Sequence, residues 1–413
     1  MAVHVVRPEI FGLTESSLTL AFGLEDGSGP VDAEARILLD GESRAVSASP
    51  AATRLVRIED LEPATEYRVE VEVAGAEPTP RDRYFPESVR TLPRPEAAQV
   101  GSFATLNDLH FGEMQFGGVL NDGFENEGES SEFPRVRASD TEVPYWQFMN
   151  EDAVDDINAL GVDLTIIKGD IADRGRPEQF EAARRTFAGF KAPHHAFLGN
   201  HDYYGRNQGI EVDGYSLLGQ PSAPRTLELG GWHLLLLETV EPGEHHGVFP
   251  EERRRWLEDT LADSIDARTP ALLFMHHQPV PPEHSHRYPN RIGLKPAHSL
   301  GFFDIVGGHP QVKGVLIGHT HRNRVRRYAA SGEVPFVEVN CTKDYPGGFA
   351  HYRLFEDGSF RQEVRRTSSE RALAHSTRCR DLFGGGYRDF ALGSLQTRSF
   401  VAGGASRPAR AGN

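Results

Sequence analysis

Leu164-Thr165-Ile166-Ile167-Lys168-Gly169-Asp170-Ile171-Ala172-Asp173-Arg174-Gly175 is the stretch on which the reading of the whole chain turns. A short apolar run that empties into a Gly-Asp turn is the end of a buried strand, and the carboxyl edge of such a sheet is where α/β proteins keep their ligand sites. Four more segments have the same form. They are Phe103 to His110, ending Asn107-Asp108-Leu109-His110; His195 to Asp202, ending Gly199-Asn200-His201-Asp202; Ala271 to His277, ending Met275-His276-His277; and Val315 to His321, ending Gly318-His319-Thr320-His321. Five strand ends that deliver Asp, Asn and His to one edge make a site for two metal ions.

Residues two apart in an extended segment project to the same side. Asp108 with His110, and His319 with His321, therefore each aim two side chains into one pocket. Oxygen and imidazole donors without thiolate suit Mn, Fe, Zn or Co better than Ca, which takes oxygen, or structural zinc, which takes Cys. Two divalent cations held close together repel strongly, so a carboxylate and a hydroxide should be shared between them. Asp170 is the natural bridge. Isolated pairs such as His194/His195 and His245/His246, and the Pro-His loop around His284, His286 and His298, read instead as ordinary core, surface or solvated side chains.

The chain has 413 residues, enough for two domains and a tail. Its formal net charge of -16 argues against a nucleic-acid polymer or an anionic membrane as partner. Two cysteines, Cys341 and Cys379, make no disulfide framework and read as free thiols of a reducing compartment. No signal-peptide pattern and no membrane-length apolar stretch is seen, so the expected location is cytoplasmic. Oligomeric state is left open.

From residue 8 to about 92 the pattern has period two. Tyr67, Val69, Val71 and Val73 alternate with Glu66, Arg68, Glu70 and Glu72, and Leu18, Leu20 and Phe22 share one face. Short strands between Gly, Pro and Asp turns predict a small all-β sandwich over 1–95. The linker Leu92-Pro93-Arg94-Pro95 stiffens the exit. From 96 to 366 strands and helices alternate. A helix is predicted over Tyr145 to Leu160 with Gly161 as its C-cap, then a strand at Leu164, a helix from Pro177, and strands at His195, Trp232, Ala271 and Val315. Helices are also predicted over Glu251 to Leu261 and Ala297 to Val306. Val334 to Val339, Ala350 to Phe355 and Ser359 to Val364 read as antiparallel strands, the last two joined by Asp357-Gly358. The stretch 113–142 has eight carboxylates against Arg135 and Arg137 and no periodicity; it reads as a long acidic loop, a solvated insertion or a lid. Residues 367–413 form an Arg-, Gly- and Ser-rich tail that packs on the body through Tyr387, Phe390 and Phe400 or is partly disordered.

The ordered set Asp-x-His, Gly-Asp-x-x-Asp, Gly-Asn-His-Asp, His-His and Gly-His-x-His resembles the calcineurin-like metallophosphoesterase superfamily over residues 100–365. The resemblance implies a four-layer α/β/β/α sandwich. It also implies two divalent metal ions, one held by Asp108, His110, Asp170 and His321 and the other by Asp170, Asn200, His276 and His319. Leu61 to Val69 resembles the penultimate-strand signature of fibronectin type III domains, with Tyr67 in the tyrosine-corner position. That domain order is similar to purple acid phosphatases, but Asp173 stands where their charge-transfer Tyr would be, and Asp202 where their motif has Glu. Gly169 to Arg174 resembles serine/threonine protein phosphatases. The Asn-His-Asp ending is closer to bacterial cyclic-nucleotide and glycerophosphodiester phosphodiesterases.

The expected activity is hydrolysis of a phosphoester substrate, foremost a phosphodiester, by a hydroxide shared between the cations. His201 is the expected general acid, Asp173 its orienting partner, and Arg174 a clamp on a phosphate oxygen. The alternatives are a phosphomonoesterase, acting on protein or small molecules, and a metal-binding scaffold without catalysis.

Overall fold

The structure, a computed structural model, describes residues 2–117, 120–121, 124–125, 134–264 and 269–404. Eight strands come first: β1 (His4–Leu13), β2 (Leu18–Asp26), β3 (Gly29–Pro30), β4 (Glu34–Leu39), β5 (Glu42–Ala48), β6 (Arg54–Ile58), β7 (Glu66–Val73) and β8 (Ser88–Arg90). β1, β2, β3 and β6 form one sheet and β5, β4, β7 and β8 another. The period-two pattern is obeyed on β7, where Val69, Val71 and Val73 are buried while Glu66, Arg68 and Glu72 reach solvent. The three valines join Leu18, Leu20 and Phe22 in one apolar cluster.

β9 (Gln99–Leu106) opens the region that bears the ligand motifs. In the acidic stretch after it, expected to be a long loop, the described residues include short paired strands. β10 (Gln115–Gly117) pairs antiparallel with β13 (Arg135–Arg137), and β11 (Leu120–Asn121) with β12 (Phe124–Glu125). Glu113, read as part of the solvated acid, is buried against Tyr145 and Lys343. Residues 118–119, 122–123 and 126–133, with Asp122, Glu127, Glu129 and Glu132, lie outside the described residues.

The alternation then follows as α1 (Tyr145–Leu160), β14 (Leu164–Lys168), α2 (Pro177–Phe187), β15 (His194–Phe197), α3 (Gly214–Leu218), β16 (Arg225–Leu229), β17 (Trp232–Leu236) and α4 (Glu251–Asp259). After them come β18 (Ala271–Met275), α5 (Pro296–Gly308), β19 (Val312–Ile317), β20 (Arg324–Arg327), β21 (Pro335–Glu338), β22 (Gly348–Phe355) and β23 (Ser359–Arg366). α1 stops at Gly161, whose φ of 66° is open to glycine without strain. β15-β14-β9-β22-β23-β24 is one six-stranded sheet, ending in β24 (Ser399–Gly403); β16-β17-β18-β19-β21-β20 is the other.

Strands buried on both faces need apolar residues at nearly every position; β18 is apolar throughout and β17 at all but His233. Leu234 and Leu236 of β17 point into a cluster with Phe103, Ile166 and Phe197 of the facing sheet, where the Phe103 and Phe274 rings are 5.7 Å apart. Leu235 points the other way, to Leu257, Phe302 and Phe303 of the helical segments α4 and α5. On the far side of the first sheet, Leu106 and Ile167 meet Ile157 of α1 and Phe180 and Phe187 of α2. Each such side chain contributes about 1.5–3 kcal/mol of burial.

One expectation is corrected and another is extended. The segment read as an antiparallel strand near Val334 is parallel to β19 and antiparallel only to β20, whose Arg-Val-Arg-Arg sequence carries no apolar alternation to announce it. The tail, as far as residue 404, packs on the body through Tyr387, Phe390 and Phe400, the first of the two alternatives expected, and adds regular elements of its own. It forms α6 (Glu370–Arg380), α7 (Tyr387–Ala391), α8 (Leu395–Arg398) and the edge strand β24, paired to β23. Arg398 is fully buried and donates to the carbonyls of Ile10, Phe11, Leu392 and Gly393 at 2.7–2.9 Å. Glu15 meets Arg353 and Arg361, and Glu9 meets Tyr345 and Arg380, so the first strands sit directly on β22 and β23. Among the described residues no helix is long and apolar enough to cross a membrane.

Candidate metal centre

β9, β14 and β15 run parallel, as do β17, β18, β19 and β21 in the other sheet. Parallel strands put their carboxyl ends on one edge. Asp108 and His110 follow β9, Asp170 follows β14, Asn200 and His201 follow β15, His276 follows β18, and His319 and His321 follow β19. The turns are tight. Among the described residues eleven non-glycine positions have positive φ, and five of them are Asp108, His110, Asp170, His319 and His321, at 45–67°. A left-handed backbone at such residues costs about 1–3 kcal/mol each and survives only where the surroundings over-determine it. Gly199 has to be glycine, because a Cβ there would lie 2.3 Å from Asp170 Oδ1.

Asp170 sits at the middle. Its Oδ2 is 3.2 Å from His276 Nε2 and 3.9 Å from His110 Nε2, while Oδ1 accepts from the His201 N–H at 2.9 Å. His276 Nε2 is also 3.1 Å from Asn200 Oδ1, and its Nδ1 lies 2.8 Å from the Lys168 carbonyl. A nitrogen facing a carbonyl must carry the proton, so Nε2 is the donor left for a cation. His319 is fixed the other way round: Nε2 donates to the Ile292 carbonyl at 2.8 Å, leaving Nδ1. Asp108 accepts from the His319 N–H at 2.9 Å and lies 3.5 Å from His321 Nε2. His321 Nδ1 is held 3.3 Å from Asp344 Oδ2.

Ligating atoms of Asp108, His110 and His321 lie within 4.8 Å of one another, as do those of Asp108, Asp170 and His276, and of His276, His277 and His319. His110 Nε2 and His277 Nε2 are buried without a hydrogen-bond partner, a costly state that a cation relieves. Charge points the same way. Burial alone would raise the carboxyl of Asp170, yet His276 and His201 hold it well below the usual range. The Asp108 carboxyl is likewise held at about 2 against burial, chiefly by His321. His276 would be lowered by burial and is pushed up to about 9 by Asp170. Buried carboxylates that stay ionised draw positive charge into the site, and the donor set fits divalent metal ions.

The remaining candidates stand around this core. His201 Nδ1 lies 2.9 Å from the main-chain carbonyl of Asp173. Its side chain is 28% exposed against 3% for His110, so it alone of the two faces the mouth. The Asp173 carboxylate is 3.4 Å from His110 Nδ1 and 3.7 Å from His201 Nδ1. Arg174 Nε pairs with Asp173 Oδ2 at 3.4 Å with its side chain 41% exposed. Asp202 straps the two turns together, accepting from the N–H groups of Gly199, Ile171 and Ala172 at 2.6–3.2 Å. Burial and Asp170 push its carboxyl up to about 7.

Several residues here escaped the sequence reading. Lys343 Nζ lies 2.8 Å from Glu113 Oε2 and 3.3 Å from Asp344 Oδ2, and Tyr387 donates to Asp344 Oδ1 at 2.8 Å. This buried network stands behind His321. The signal available in the sequence was Lys343-Asp344 in the turn five residues beyond the end of β21. His277, passed over as the second of a pair, donates or accepts at 2.9 Å with Thr239 Oγ1. His245, read as ordinary, touches Tyr204, which accepts from Asn200.

The chain belongs to the calcineurin-like phosphoesterase family, whose model matches residues 102–323. It is thus a metal-dependent phosphoester hydrolase. It is 28% identical over 215 residues to a probable cyclic nucleotide phosphodiesterase of Synechococcus sp., covering 49% of this chain and 76% of that one. It is 28% identical over 218 residues to the 3',5'-cyclic adenosine monophosphate phosphodiesterase CpdA of Pseudomonas aeruginosa, covering 50% and 75%. To a probable glycerophosphodiester phosphodiesterase GpdQ of Arcobacter nitrofigilis it is 30% identical over 213 residues, covering 48% and 75%.

Proposed function

We propose that the protein hydrolyses phosphodiesters, with Asp108, His110, Asp170 and His321 holding one divalent metal ion and Asp170, Asn200, His276 and His319 the other. The observation that carries this reading is the position of Asp170, within 3.2–3.9 Å of imidazoles from both sets. Bound Mn, Fe, Zn or Co would supply Lewis acidity and a water activated at neutral pH. The chain's own residues do the rest. The backbone strain at the five ligands preorganises them, so no reorganisation is needed when charge develops. His201 keeps one proton on Nδ1 through the Asp173 carbonyl, which frees Nε2 to deliver a proton to the leaving alkoxide. Arg174, half exposed beside Asp173, is placed to reach a phosphate oxygen. The relatives named for cyclic nucleotides and glycerophosphodiesters support a diester substrate.

The accompanying architecture is a four-layer α/β/β/α domain over 96–366, a fibronectin type III-like sandwich over 1–95 and a tail over 367–413, in a cytoplasmic protein. The bond from the Glu62 N–H to the Tyr67 hydroxyl, 2.9 Å, supports the tyrosine corner of the sandwich. The test is hydrolysis of bis(p-nitrophenyl) phosphate against p-nitrophenyl phosphate by metal-stripped protein reloaded with manganese. Faster cleavage of the diester upholds the reading. Faster cleavage of the monoester makes the enzyme a phosphatase, and inactivity with two metals bound leaves a scaffold.

A further inference from the structure

β20 and the Pro-His loop line an open cavity of about 500 Å³ that neither the metal centre nor the family motifs use. Its wall carries Arg287, Arg322, Arg324, Arg326 and Arg327, and none of the described residues lining it has a carboxylate. On a chain of formal net charge -16 that is a local reversal of sign. One buried carboxylate stands behind it: Glu338 takes Arg322 Nε at 2.7 Å and Arg326 Nε at 3.3 Å. Arg287, Arg324 and Arg327 have no ion pair among the described residues. Arg322 is only 8% exposed, and its Nη2 is buried without a hydrogen-bond partner. Guanidiniums crowded together repel, and an unpaired buried donor costs free energy, so the cavity is built to be completed by an anion.

Its position says which anion. Arg322 follows ligand His321 directly. Arg326 Nη2 donates to Asn290 Oδ1 at 2.9 Å, and two residues on, the Ile292 carbonyl fixes His319. The cavity and the metal centre therefore share the 290–292 segment and the 319–322 turn as a common wall. A diester seated at the metals with its organic group turned this way carries that group into the arginines.

We propose that the cavity is a second anion subsite, and that the preferred substrate is a phosphodiester whose organic part bears a further phosphate. The proposal rests on the hydrolase reading above and names the substrate class of that site. Guanidinium forks match phosphate oxygens bidentately, which gives both affinity and orientation to the scissile ester.

Two esters that differ only in the second phosphate test it: thymidine 5'-(4-nitrophenyl phosphate), with and without a 3'-phosphate, on the manganese-loaded full chain. The 3'-phosphate should raise kcat/KM by about tenfold or more. In Arg287→Gln/Arg324→Gln the ratio between the two esters should collapse to within about twofold, because exposed residues are changed and the fold is kept. Equal rates for the two esters in the wild type, or a preference that survives the double substitution, overturn the subsite. Calorimetric binding of thymidine 3',5'-bisphosphate against thymidine 5'-monophosphate separates the two readings. If neither ester is cleaved but the bisphosphate binds about tenfold tighter and loses that margin in the variant, the subsite stands and the hydrolase reading falls. If the bisphosphate has no margin, the subsite is wrong whatever the turnover.

Discussion

His201 Nδ1 lies 2.9 Å from the main-chain carbonyl of Asp173, and 3.7 Å from that residue's carboxylate, whose Oδ1 is nearer to His110 Nδ1 at 3.4 Å. One residue thus orients two imidazoles with two different groups. Asp173→Asn keeps the carbonyl and removes the charge. Metal affinity, acting through His110, should fall by about 10–100-fold. At saturating manganese kcat should return to within about threefold of wild type. A kcat that stays far lower with both metals bound would mean that the carboxylate acts through His201 instead.

His201→Ala should lower kcat by about 10²–10⁴-fold and leave two metals per chain by elemental analysis. Metal loss in this variant would make His201 a ligand and end its role as acid.

Asp344 Oδ2 holds His321 Nδ1 at 3.3 Å and is itself fixed by Lys343 and Tyr387. Asp344→Ala should therefore weaken metal binding by about 10–100-fold, read by metal titration. Unchanged affinity would show that the ring is held by packing alone.

Glu338 is buried between Arg322 and Arg326, and although burial alone would raise its carboxyl, the two guanidiniums hold it below the usual carboxylate range. Glu338→Gln should cost about 3 kcal/mol at pH 7, measured by urea unfolding. A depressed folded value gives stability that is complete above the unfolded pKa and is lost as pH falls through the folded one. The gap between wild type and variant should be constant from pH 6 to 8, within about 0.5 kcal/mol, and shrink in acid. A gap that widens in acid would contradict the assignment.

Arg398 joins the tail to β1 through the carbonyls of Ile10 and Phe11. Truncation after residue 366 also strips β24 from β23 and removes Leu382, Tyr387, Ala391 and Leu392 from the main core. The truncated chain should be insoluble, and Arg398→Met should lose about 3 kcal/mol, chiefly from carbonyls left unpaired. A soluble, active 1–366 chain would show the tail to be an accessory.

Local signals carried the ligand motifs. Each is an apolar run followed within a few residues by Asp, Asn or His, so strand, turn and donor are written side by side, and α1 with Gly161 is as local. That is why the sequence alone could place Asp108, Asp170 and His321 at one sheet edge. Long-range pairing has no such signature. β20 and β24 gain their places only by partners found after folding, and Glu113 looks like one more acid in an acidic stretch until Lys343, 230 positions later, is beside it. Which residues meet at the sheet edge was legible in the sequence, because parallel strands share one carboxyl side. Folding alone settles which group of Asp173 faces His201, what stands behind His321, and that arginines from two separate segments line one cavity. Those outcomes depend on side-chain direction and on desolvation at sites assembled from distant parts of the chain.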